Sequence, residues 1–223
     1  MSTAPIRLKT HWFRPGAPKS PEQQAGAMGF TLWRVAQQTL KRMRGAHFDI
    51  DAGEPYFAFM REMLVFLVAV ADRLAHERFD GPTRVAFTTA LVLHVADTLQ
   101  GNEIDLLGEP RPGQAMPRDR FIDLFNEVHE HYAEFGGEAG VAEFTPDFAF
   151  LRYLGHRLEP TLPPKDQRWV LDQVMAVEAP DAVALVQRTL RDLCSTATRR
   201  MRHSSVRAEL SRGALDESLT HHH

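Results

Sequence analysis

Five residues have the side chains from which a chemical site would most readily be built. Glu62, Asp72 and His76 lie in one mainly apolar stretch, and His94 and Asp97 lie in the next. Carboxylates and imidazoles on facing helices hold divalent metals in helical bundles, and they also serve as general acids and bases. His94 and Asp97 are three residues apart and Asp72 and His76 four, so each pair shares a helix face. Arg61, Val65, Ala69, Asp72 and His76 stack on one side of the first stretch, with Glu62 beside them. A buried charge is costly unless it is paired. These groups must therefore meet one another as ion pairs, reach solvent, or line a cavity. Di-iron bundles rely on Glu-x-x-His, and the sequence contains none.

Other constellations are weaker. In NEVHEHYAEF (126–135), His129 and His131 are two apart and point about 200° away from each other on a helix. Only Glu127 and His131, with Glu134, share a side, as a solvated acidic face would. Cys194 sits beside Leu190 and Leu193 as a small core residue, and His203 is too far along the chain to activate it. Gly-x-Ser-x-Gly, Walker, Gly-x-Gly-x-x-Gly and Cys-x-x-Cys motifs are all absent.

The elements that must position these residues are helical. The stretch 56–74, YFAFMREMLVFLVAVADRL, is apolar on almost every side, which marks the buried centre of a helical domain. It belongs to a helix of about 54–79. Asp80-Gly81-Pro82 turns the chain into a second helix of about 83–99, and the short turn makes the two an antiparallel hairpin. Ser20 as N-cap with Pro21 at the first position starts an earlier helix, with a seam of Met28, Leu32, Val35, Leu40 and Met43. The stretch 101–117, with its three prolines and three glycines, reads as a long loop. Helices are expected over 118–135, from about 146 to 158, over 165–177, and from 181 to about 202, with a break at Glu178-Ala179-Pro180. That break suggests a helix-turn-helix, but Asp181 at the start of the would-be reading helix suits DNA poorly.

The expectation is an all-α, single-domain bundle of about seven helices around the hairpin. An irregular arm (1–19) precedes the domain (20–207), and a frayed tail (208–223) ends in His221, His222 and His223, which read as a purification-tag remnant. One cysteine among 223 residues excludes an internal disulfide and fits a cytoplasmic location. No apolar run reaches the ~20 residues of a membrane span.

Net charge is −3, yet residues 1–47 carry eight Lys/Arg against Glu22 alone, and 188–212 carry seven Arg against two acids. The polyanion reading that this asymmetry invites ranks below local roles such as charge at helix ends. The leading functional reading is a non-catalytic helical binding or regulatory protein. It would contact a protein partner or its own copy, with a small ligand admissible, through Trp12 and Phe13 in the arm and Arg199, Arg200 and Arg202 near the C-terminus. The alternative is a metal-binding or acid/base bundle using Glu62, Asp72, His76, His94 and Asp97. Nucleic-acid binding through the basic ends ranks third, and no cofactor is specified.

Overall fold

Helix α1 (Pro21–Gly45) starts where its residues dictate. The Ser20 hydroxyl accepts from the Gln23 backbone N–H, and the Gln23 side chain accepts from Ser20 in return, a reciprocal capping box behind Pro21. The computed structural model describes residues 19–195. After α1, Arg44 donates two bonds to the Ile50 carbonyl oxygen and closes the connection to α2 (Glu54–His76).

Helix α2 is the interior of the molecule. Every residue from Met63 to Asp72 is buried, an unbroken run that covers all faces of the helix. It packs against α1, α3 (Gly81–Leu107), α4 (Pro117–Glu134), α5 (Phe148–Leu158) and α7 (Ala179–Cys194). The expected α2–α3 hairpin forms. Arg61 reaches Glu103 and Asp72 reaches Arg84 and Thr88, an antiparallel register. Within the hairpin only α2 is enclosed; α3 buries Phe87, Leu91, Val95 and Leu99 and leaves the opposite face in solvent.

Two boundaries differ from expectation. Helix α3 continues to Leu107 instead of stopping near Leu99, so only 108–116 is loop. Gly101 costs about 1 kcal/mol in a helix interior, but the next turn carries Glu103, which is anchored on both sides by arginines. Gly108 ends the helix in the left-handed region, at φ 84°, with its N–H on the Ile104 carbonyl.

The second difference is at Glu178-Ala179-Pro180, where no break occurs. Helix α6 (Pro164–Gln173) passes through a π-turn (Val174–Glu178) straight into α7. Pro180 has no N–H for the fourth carbonyl back, and its ring crowds that carbonyl. The wider turn, in which the Ala179 N–H bonds Val174, relieves both problems. The helix-turn-helix suggested by this segment therefore has no turn. Seven α-helical segments make six rods among the described residues, and no strand occurs there, only an isolated bridge between Gly137 and Pro146. Among the described residues no helix is long and apolar enough to cross a membrane.

On one flank of α2 the core is aromatic. Phe66 meets Phe150 edge-on at 5.7 Å, and Tyr132 lies 4.7 Å from Phe150, joining α2, α4 and α5. Phe66→Ala is expected to lower the unfolding free energy by about 3–5 kcal/mol, measured by urea denaturation. A loss below about 1 kcal/mol would contradict this packing.

Candidate functional site

The buried polar residues are distributed along α2 as separate cross-links. Asp72 is the most elaborate. Both its carboxylate oxygens are met by Arg84 of α3, Nε to Oδ1 at 2.9 Å and Nη2 to Oδ2 at 2.5 Å. Thr88 Oγ1 donates to Oδ1 at 2.6 Å, and His129 Nε2 of α4 stands 3.7 Å from Oδ2. Burial alone would raise the Asp72 carboxyl pKa. His129, Arg84 and Thr88 together outweigh it and hold the pKa well below the usual carboxylate range. A cleft of about 30 Å³ beside it is lined by Ala69, Asp72, Arg73, Arg84, His129 and Tyr132. That is room for one or two waters, against the roughly 300–1,000 Å³ of a metabolite pocket.

Glu62 is held differently. Arg157 of α5 grips it with two parallel bonds, Nε to Oε2 at 2.9 Å and Nη2 to Oε1 at 2.6 Å. Burial pushes the Glu62 carboxyl up, against the opposing pull of Arg157. The same burial raises the Tyr132 phenol well above its ordinary value, and its hydroxyl has no hydrogen-bond partner among the described residues.

The other predicted residues do not join them. His76 is exposed and touches the system only through Arg84, 3.4 Å from its Nδ1. His94 is exposed on α3 and lies over Gly29 of α1, where a Cβ would stand 2.4 Å from the imidazole Cδ2. Asp97 is exposed and pairs with Arg118 at 2.7 Å. The stacking of His94 and Asp97 on one face is real, but that face points outward. Glu127 and His131 are exposed on α4, as a solvated face requires. Cys194 is half-buried, and burial pushes its thiol up, away from a nucleophile's range. Trp12, Phe13, Arg199, Arg200 and Arg202 lie outside the described residues.

Two buried carboxylates escape sequence reading. Glu103, in the stretch read as loop, is buried between Arg61 and Arg120, with Arg61 Nη1 at 3.1 Å. Glu178, in the stretch read as a break, is buried in the π-turn, with Arg42 Nε at 2.7 Å and Gln173 Nε2 at 3.1 Å. Each lies where Pro or Gly nearby masks the helix, so no local signal marks it. Among the described residues no three His, Cys, Asp or Glu side chains converge as a metal ion would need. Comparison with family models, curated proteins and solved structures finds no match for the chain.

Opposite pH dependences follow from the two shifts. The native state binds the Asp72 proton less tightly than the unfolded chain, so this contribution is present above the unfolded value near ~3.9 and is lost as pH falls below it. The stability gap between wild type and Asp72→Asn, about 1–3 kcal/mol at neutral pH, should close on acidification. Glu62 has the other sign, so wild type should gain on Glu62→Gln as pH falls through the glutamate range. Urea titrations at a series of pH values check both, and parallel profiles for the two variants would contradict the assignment.

Proposed function

We propose that the chain is a non-catalytic helical binding or regulatory protein, cytoplasmic, that acts through its surface on a protein partner or on its own copy. One observation carries this reading. Asp72, Glu62, Glu103 and Glu178 are each satisfied by an arginine from another helix, so their charge is spent on holding the bundle together. A carboxylate gripped on both oxygens by a guanidinium is poorly placed to take up a substrate proton or a metal ion. The cleft beside Asp72 is also too small for a metabolite.

The metal or acid/base alternative would need Glu62, Asp72, His94 and Asp97 to share a cavity. Glu62 faces α5, Asp72 faces α3 and α4, and His94 and Asp97 face outward.

Elemental analysis of protein lacking His221–His223, after exposure to zinc and manganese and gel filtration, tests the proposal. The expected result is substoichiometric metal in wild type, unchanged in Glu62→Gln and His94→Ala. One equivalent of metal in wild type, lost in either variant, would overturn it.

A further inference from the structure

We propose that residues 136–146 form a strap that swings open as a unit while the helical bundle stays folded, and that Glu143 is its latch. The segment joins the end of α4 to the start of α5 and closes on itself at its base. Gly137 bridges Pro146, and the Glu138 N–H donates to the Thr145 carbonyl at 2.8 Å. A compact loop whose ends meet can move as one body, because its internal bonds travel with it.

The chain is fixed to the bundle on both sides of the strap. On entry, the Phe135 carbonyl accepts from Arg73 of α2. On exit, Asp147 caps α5, its carboxylate accepting from the Phe150 N–H at 2.9 Å. Between the entry point and the body of the loop lie Gly136 and Gly137, which have no side chain to resist rotation.

Little apolar surface holds the strap down. Residues 136–142 are all exposed, and Pro146 is buried at the base. Phe144 is the apolar anchor of the outer part, its ring 5.3 Å from the Arg73 guanidinium and 5.8 Å from Phe150. The remaining ties are polar. Glu143 is met by Arg78, just beyond α2, and by Arg191 of α7 at 3.3 Å. The Phe144 N–H donates to Glu77 at 3.2 Å, and Gln187 of α7 donates to the Phe144 carbonyl at 3.0 Å and to the Thr145 hydroxyl at 3.3 Å.

This latch differs in kind from the carboxylates of the core. Arg157 and Arg84 each grip their carboxylate with two nitrogens, the stronger form of the pair. Arg78 gives Glu143 one nitrogen, and its Nε is buried with no hydrogen-bond partner among the described residues. The Arg191 side chain is 61% exposed, which leaves that arm open to screening by salt. A segment with so few apolar contacts and such exposed ties opens at a free energy far below that of global unfolding. Opening lifts Phe144 off Phe150 and Arg73 and releases Arg78 and Gln187 from the strap.

Native-state hydrogen exchange on the full chain tests the device. The Phe144 amide, bonded out to Glu77, should exchange through an opening nearly independent of denaturant, while amides of residues 63–72 hold until global unfolding. The Glu138 amide, bonded within the strap, should be better protected than that of Phe144. Glu143→Gln should speed Phe144 exchange about fivefold and leave the α2 amides unchanged. Raising NaCl to about 1 M should speed Phe144 exchange in wild type and not in Glu143→Gln; the wild-type arm needs no variant to fold. A Phe144 amide that exchanges only through global unfolding, or one indifferent to either Glu143→Gln or salt, would overturn the proposal. So would a Glu138 amide less protected than that of Phe144, since the loop would then fray and not move as a unit. These outcomes leave the metal analysis, which decides the binding reading, as it stands.

Discussion

The structure depends on one constraint: a helix without a solvent-facing side must be covered all round. From Met63 to Asp72 every residue of α2 is buried, and five other helices pack around it. Burial at this density drives association strongly and says little about direction or register. The few polar residues of α2 supply that information. Arg61 and Asp72 tie its two ends to α3, Glu62 ties it to α5, and Arg73 donates to the Phe135 carbonyl at the end of α4. Each neighbour is pinned at a definite height.

These ion pairs explain why the buried charges are tolerated. A lone carboxylate at the position of Asp72 would be neutralised or would destabilise the fold, whereas Arg84, Thr88 and His129 surround it with donors. Each buried carboxylate is matched in this way by an arginine from one particular neighbouring helix. The π-turn obeys the same logic. Pro180 forces extra room into the rod, and Glu178 in the widened turn is fastened to Arg42 of α1.

Much of this was legible in the residues. The all-helical class, the Ser20 cap and the enclosure of 56–74 follow from capping chemistry and from an apolar pattern without a polar face. The pairing of α2 with α3 follows from a turn too short for anything else. Less legible were the partners of the polar residues. Spacing along one helix reports which side chains share a face, not what stands opposite, and Glu62 and Asp72 turned out to face different helices. His94 and Asp97 show the same limit, since two residues on one helix face can both be outside. Glu103 was hidden by Gly101, and Glu178 by Pro180, because a breaker residue weighs more in a local reading than the distant arginine that overrules it.

The central claim, that α2 is the interior on which the other helices are assembled, has a direct test in native-state hydrogen exchange under increasing denaturant. Amides of residues 59–75 should be the slowest in the protein, exchanging only through global unfolding and with its full denaturant dependence. Exchange of these amides through a smaller, denaturant-insensitive opening, while α1 or α3 stays protected, would contradict it.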